Sequence, residues 1–116
     1  MPQVLIVDDE PMIRQFVRSA LATSGYRVLD AETPAQALEL HRDYPGLDLL
    51  VTDVVMPECS GCDLALRMRE SNPRLPVLFI SGYEPKQREA FPLSAFLQKP
   101  FRIGDLLDCV RGMLAS

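Results

Sequence analysis

The sequence has no long apolar run, no excess of positive charge and few cysteines. Its longest apolar runs, at 4–7 and 76–80, are far too short to cross a bilayer, and no basic segment precedes the first. The net charge is −4, and there is no basic stripe of the kind that binds nucleic acid. Three cysteines cannot all pair with one another, which argues against a secreted disulfide scaffold. We therefore expect a cytoplasmic protein that binds neither membrane nor nucleic acid.

Short apolar runs alternate along the chain with amphipathic segments. The 116 residues, 47% of them hydrophobic, suit a single domain over 1–116 whose core needs no disulfide or metal. Several of the apolar runs are nearly continuous, as in parallel strands that are covered on both faces. The runs predict strands at 4–7, 28–31, 47–52, 77–80 and 95–97.

Helical signals lie between these strands. Pro11 suits the first turn of a helix that ends near Gly25, and Thr33 followed by Pro34 is typical of a helix start. Apolar residues recur at helical spacing through 103–114, which predicts a last helix. Strands that alternate with helices in this way predict an α/β fold. We expect a doubly wound (βα)5 flavodoxin-like three-layer sandwich with a parallel sheet of order 2-1-3-4-5.

Polar residues end four of the predicted strands. Asp8 and Asp9 follow the first strand, Asp53 the third, Ser81 the fourth and Lys99 the fifth. A single aspartate at a strand end is as readily explained as a cap for the next helix. However, ligands of doubly wound sheets bind at this edge, and carboxylates gathered there repel one another unless a cation intervenes. Oxygen ligands of this kind suit Mg²⁺ or Mn²⁺, so the sequence predicts a divalent-metal site.

Four motifs carry a resemblance to a known family. They are VDDEP at 7–11, TDVVMP at 52–57, SGY at 81–83 and KPF at 99–101. Through them the whole chain resembles the receiver domain of bacterial two-component response regulators, and four motifs in order at strand ends are a specific signal. The resemblance implies a phosphorelay protein in which Asp53 accepts a phosphoryl group. The donor would be a sensor histidine kinase or a histidine phosphotransfer protein, in a Mg²⁺-dependent reaction.

The resemblance also implies the ligands of the metal. Asp9, Asp53 and the backbone carbonyl of Val55 would coordinate Mg²⁺, and Asp8 would act mainly through a metal-bound water. Phosphoryl transfer depends mostly on positioning and on neutralising the charge of the transferred group, which such a site provides.

Two further residues are implied to contact the phosphoryl group. Lys99 would supply a point charge to one of its oxygens, and the Ser81 hydroxyl would donate a hydrogen bond to another. Phosphorylation would then move Ser81 and turn Phe96 inward, which would switch the surface formed by the fourth helix, the fifth strand and the last helix. Phe96 is equally explained as ordinary strand core. The peptide bond before Pro100 is implied to be cis.

The segment between Ser81 and Lys99 departs from the family pattern. It has only 17 residues and contains Pro85 and Pro92, so the helix expected there should be short or irregular. We therefore expect a monomer or a partner-specific dimer.

A second departure concerns hydrolysis of the phosphoaspartate. Val55 cannot influence an attacking water, and Tyr83 adds bulk nearby, so we expect slow hydrolysis. The chemistry is limited to phosphorylation and dephosphorylation of the chain itself, so we do not expect an enzyme that turns over an external substrate.

Two alternatives remain open. Cys59 and Cys62 have the spacing of a redox CxxC motif at the start of a helix, where thiolates are stabilised, so a redox-sensitive module is one alternative. The other is that the chain is the receiver fragment of a hybrid sensor kinase rather than a complete regulator. The lone His41 is expected to point to solvent or to pack at a helix edge.

Overall fold

One five-stranded parallel sheet organises the chain. The computed structural model describes residues 1–56, 58–82 and 91–115. The strand order is β2-β1-β3-β4-β5, which confirms the predicted topology. The elements are β1 Gln3–Val7, α1 Pro11–Thr23, β2 Arg27–Ala31, α2 Pro34–Asp43, β3 Leu49–Asp53, α3 Gly61–Arg69, β4 Val77–Ser81, β5 Ser94–Gln98 and α4 Ile103–Leu114.

Two hydrophobic cores lie on opposite faces of the sheet. Residues that alternate along a strand point to opposite faces, so β1 contributes Leu5 and Val7 to one core and Val4 and Ile6 to the other. Helices α2 and α3 cover the first core, and α1 and α4 cover the second. This arrangement confirms the three-layer sandwich, and it explains why the central strands read as continuous apolar runs.

Local sequence signals set the starts of the helices. Pro11 and Pro34 occupy first-turn positions of α1 and α2, where a proline has no hydrogen bond to lose. The Thr33 hydroxyl accepts a hydrogen bond from the backbone N–H of Gln36 at 3.1 Å, as expected of an N-cap. Ser60 caps α3 in the same way.

The third strand begins later than the sequence predicted. Leu47 is buried but precedes β3, and Asp48 joins the start of β1 through both its side chain and its backbone. The backbone N–H of Gln3 donates to the Asp48 carboxylate at 2.8 Å, and the Asp48 N–H donates to the Gln3 carbonyl at 2.8 Å. The regular ladder of β1 with β3 starts at Leu49, two residues after the predicted start at 47.

The helix expected between β4 and β5 cannot be compared with the structure. Pro85 and Tyr83 lie outside the described residues, whereas Pro92 is described and precedes β5. No helix in the described part of the chain is both long and apolar enough to cross a bilayer.

Candidate functional site

A cleft of about 400 Å³ opens at the carboxyl ends of the strands. It lies where β1 and β3 are neighbours and the strand order reverses, the position at which doubly wound sheets bind ligands. It is lined by Asp9, Glu10, Asp53, Val55, Ser81, Gly82 and Lys99. The sheet therefore brings together the residues that the sequence placed at separate strand ends.

Three polar residues of the cleft are buried where the strands end. Asp53 is the last residue of β3 and is 6% exposed, and Ser81 is the last residue of β4 and is 3% exposed. Asp8 follows β1 and is fully buried. Buried ionisable groups are costly unless they are paired or bind a cation, so their presence here calls for a positive partner.

Lys99 is that partner among the described residues. Its Nζ donates to Oδ2 of Asp8 at 3.1 Å, to Oε1 of Glu10 at 3.1 Å and to Oδ2 of Asp53 at 3.2 Å. One ammonium group thus uses all three of its N–H donors on three carboxylates. The three carboxylates and one ammonium still leave the cluster with two negative charges when all are ionised.

The pKa values of two residues reflect this arrangement. Burial raises the pKa of Asp8 above its ordinary value, although the N–H of Glu10 and the charge of Lys99 act in the opposite direction. Burial alone would lower the pKa of Lys99, but its hydrogen bond to Glu10 and its interactions with Asp8 and Asp53 outweigh burial and raise it. Lys99 therefore stays positively charged. Burial disfavours the ionised form of Asp8, and a further cation nearby would stabilise that form.

Carboxylate oxygens of Asp8, Glu10 and Asp53 all lie within 4.8 Å of one another. Asp9 lines the same cleft but is exposed, and its carboxylate is not part of this tight group. Sequence reasoning did not select Glu10 as a site residue. The sequence does show Glu10 as the third consecutive acidic residue after β1. Its place in the cluster, however, depends on a hydrogen bond from Lys99, which is 89 residues away in the chain.

The loop after β3 is tightly packed against Asp53. Val55 is 63% exposed, and its backbone N–H donates to Oδ1 of Asp53 at 3.4 Å. The N–H of Gly61 donates to the Val54 carbonyl at 2.8 Å. A Cβ atom at Gly61 would lie 2.1 Å from the Asp53 carbonyl oxygen, so this position accepts only glycine without a backbone shift.

Two other residues of interest lie on or beside β5. Phe96 is partly buried and packs against the core covered by α2 and α3, where it pairs in register with Phe79. The Lys99–Pro100 peptide bond is cis, as the resemblance implied.

The cysteine pair does not have the properties of a redox site. Burial raises the pKa values of both Cys59 and Cys62; the charge of Arg67 acts in the opposite direction on Cys59 without outweighing burial, and neighbouring Asp63 raises both. A redox-active thiol requires a lowered pKa, so the structure does not favour the redox alternative.

His41 is not a solvent-facing residue. It is 7% exposed and packs between α2 and the end of α3, with Nε2 3.1 Å from Oγ of Ser71. The expectation of packing at a helix edge is therefore confirmed, and the alternative of pointing to solvent is wrong.

Known proteins resemble this chain in both sequence and fold. A family model described as response regulator receiver domain matches residues 4–111. The response regulator receiver protein CpdR of Brucella abortus (strain 2308) is 35% identical over 120 residues, with 100% of this chain and 99% of CpdR covered. Sensor kinase CckA of the same strain is 38% identical over 116 residues, which cover 96% of this chain but 12% of the kinase.

A solved structure agrees with these matches. The receiver domain from hybrid histidine kinase CckA superposes with a TM-score of 0.86 at 34% sequence identity, over 97% of this chain and 98% of that domain. The similarity therefore includes the whole sheet and the edge that carries the acidic cleft. The chain belongs to the response regulator receiver domain family, whose members are signalling domains of two-component systems rather than enzymes with an external substrate.

Proposed function

We propose that Asp53 is the phosphoryl acceptor of this receiver domain. The observation that carries the proposal is the position of its carboxylate, which ends the central strand β3, lines the cleft and contacts the ammonium of Lys99 at 3.2 Å. Of the three clustered carboxylates, Asp8 is fully buried and Glu10 is exposed, so Asp53 combines access from the cleft with a fixed orientation.

The transfer would be a displacement at phosphorus. An Asp53 carboxylate oxygen forms a P–O bond while the bond between phosphorus and the donor's histidine nitrogen breaks. That nitrogen keeps the electron pair and the imidazole is released. The donor would be a sensor histidine kinase or a histidine phosphotransfer protein, which agrees with the relationship to CckA.

The clustered carboxylates fit a divalent cation. They supply hard oxygen donors within 4.8 Å of one another, and one lysine leaves two of their negative charges uncompensated. Asp8 and Asp53 of this cluster, with Asp9 and the backbone carbonyl of Val55 from the lining of the cleft, would hold Mg²⁺, or Mn²⁺ in its place, while Glu10 stays paired with Lys99. Bound Mg²⁺ would neutralise charge on the transferred phosphoryl group.

Lys99 and Ser81 would then bind the remaining phosphoryl oxygens. The Lys99 ammonium already reaches the Asp53 carboxylate, so it can transfer one hydrogen bond to a phosphoryl oxygen. Ser81 ends β4 and follows Ile80, the register partner of Asp53 on β3, which brings it to the edge of the same cleft. Its hydroxyl would donate to a second oxygen.

Phosphorylation would switch the surface around β5. Ser81 and Phe96 lie on neighbouring strands, so a movement of Ser81 toward the phosphoryl group leaves space on the side of Phe96. Phe96 has no hydroxyl group, so its response would rest on packing. The affected surface is formed by β5, α4 and the segment before β5.

The phosphorylated state would last long compared with rapidly hydrolysing receivers. The Val55 side chain is exposed at the cleft and has no group that could orient or deprotonate water. Self-phosphorylation from a small donor and self-dephosphorylation would be the only chemistry. We propose that the protein acts in the cytoplasm as a single domain over 1–116, either alone or as part of a hybrid kinase, and as a monomer or a partner-specific dimer.

Labelling with a small phosphodonor tests this proposal. Acetyl phosphate with Mg²⁺ should phosphorylate the wild-type chain once, and a chelator should prevent the reaction. Asp53→Asn should not be labelled, whereas Asp43→Asn, at the exposed end of α2, should be labelled like the wild type. Equal labelling of Asp53→Asn would refute the assignment.

A further inference from the structure

A second cleft, of about 390 Å³, lies between the ends of α2 and α3. It is lined by Leu38, His41, Arg42, Pro45, Arg67 and Ser71. In a doubly wound sheet each helix runs back from the carboxyl ends of the strands, so the ends of these helices lie at the opposite edge of the sheet from Asp53. The two clefts share no lining residue.

The charge of this second cleft is opposite to that of the acidic cleft. The chain has 16 acidic and 12 basic residues, yet none of the lining residues is acidic and two of them are arginines from different helices. Arg42 contacts Asp43 at 3.6 Å through side chains that are mostly exposed, and such a pair is weak. Arg67 makes no salt bridge with any residue that the structure describes. Both guanidinium groups can therefore bind an anion at small cost.

A buried histidine forms part of the wall. Ser71 Oγ donates to the Met68 carbonyl at 3.3 Å, so the same oxygen can accept a hydrogen bond from Nε2 of His41 at 3.1 Å. Nδ1 of His41 is buried and has no hydrogen-bond partner among the described residues. With Nε2–H donating to Ser71, Nδ1 is an acceptor and would not bind an anion, so the arginines carry the charge recognition and His41 reports on the wall of the cleft.

We propose that this cleft binds a small organic anion that carries a phosphate monoester. Two arginine forks can each bind a pair of phosphate oxygens, and a dianion matches their two positive charges. The cleft is larger than inorganic phosphate requires, and Leu38 and Pro45 offer an apolar surface for the carbon part of the ligand. This binding is separate from the phosphoryl chemistry at Asp53 and does not depend on it.

The single histidine makes the proposal directly testable by NMR. The chain has one His, so its Cε1–H proton gives one resolved signal from inside the cleft. Ribose 5-phosphate and adenosine 5′-monophosphate should shift this signal saturably at a concentration of about 1 mM. Inorganic phosphate should bind at least about tenfold more weakly. Adenosine, which lacks the phosphate, should leave the signal unchanged.

Five variants separate the explanations. Arg42→Gln and Arg67→Gln should each weaken binding about tenfold or more, and the pair together should abolish it. Arg111→Gln, which alters an exposed arginine on α4, is the matched control and should bind like the wild type. Asp53→Asn should also bind normally, so a failure of the proposed phosphorylation would not affect this result.

The outcomes that overturn the proposal are equally specific. The proposal is wrong if about 10 mM phosphate monoester causes no saturable shift of the His41 signal. It is also wrong if the double arginine variant binds as tightly as the wild type. Tighter binding of citrate than of either phosphate monoester would refute the choice of phosphate. Binding of inorganic phosphate as tight as that of the monoesters would refute the role of the apolar wall.

Discussion

Lys99→Met removes the one cation that lies among the three carboxylates in the described part of the chain. The Lys99 side chain is 16% exposed, and its partners range from fully buried Asp8 to Glu10, whose side chain is 60% exposed. Removal of one partner from a buried ion pair costs about 3–5 kcal/mol. Because Glu10 and the cleft are open to water, we expect about 2–3 kcal/mol here. For a chain of this length that loss lowers Tm by about 8–12 °C.

The pH dependence of this loss follows from Asp8. Burial raises its pKa in the folded state above the value in the unfolded chain, so the folded state binds a proton more readily. Buried Asp8 therefore does not reduce the stability of the fold at low pH, where it is protonated in both states. Its destabilising effect grows as pH rises above 3.8, where the unfolded chain ionises first. Removal of Lys99 takes away an interaction that favours ionised Asp8. The loss of stability should be largest near neutral pH and smaller in acid.

Thermal unfolding with chelator and with Mg²⁺ is the assay. Mg²⁺ should restore more stability to Lys99→Met than to the wild type, because the variant has one more uncompensated negative charge in the cleft. Arg111→Met, which removes an exposed ion pair with Asp108 on α4, is the control and should change Tm little. A Lys99→Met protein that is as stable as the wild type in chelator at neutral pH would refute the electrostatic reasoning.

Three further substitutions, the first with Gly104→Ala as its control, probe other parts of the structure. Gly61→Ala should lower the free energy of unfolding by about 1–3 kcal/mol and slow phosphorylation, because the new Cβ would clash with the Asp53 carbonyl. Its control is Gly104→Ala on α4, where a Cβ meets open space. In urea titrations this variant should be as stable as the wild type or more stable. Arg69→Met should cost about 2–4 kcal/mol, measured in the same way, because this half-buried guanidinium donates to three backbone carbonyls at 2.7–3.3 Å, one just before β4 and two just before β5, and covers an aromatic ring. An unchanged denaturation midpoint would contradict this role. The wild type should lose stability as pH falls below 6.5, because burial lowers the pKa of His41 and the unfolded state therefore takes up the proton first. His41→Gln should not show this loss. Parallel acid titrations of the two proteins would disprove that assignment.

The sequence predicted the framework of the site well, because each part depends on local patterns. Continuous apolar runs located the strands, and the polar residues at the ends of those runs identified Asp8, Asp53, Ser81 and Lys99 as neighbours. The topology follows from the alternation of strands and helices, and it alone brings these residues to one edge.

Other features depend on where side chains meet in three dimensions. Glu10 looked like one more surface acid, and only the approach of Lys99 from β5 makes it part of the cluster. His41 follows Pro34 and Ala37 at helical spacing on the buried face of α2, but its contact with Ser71 depends on how the end of α2 packs against α3. Arg69 likewise bonds to two carbonyls just before β5, 23 and 24 residues away, besides that of nearby Leu75.

The most direct test of the account is to locate the modified residue chemically. Borohydride reduces an aspartyl phosphate to homoserine, which marks the acceptor position for peptide mass spectrometry. After phosphorylation with acetyl phosphate and Mg²⁺, the account predicts homoserine at position 53 and at no other aspartate. Homoserine at position 8 or 9, with Asp53 unchanged, would contradict it.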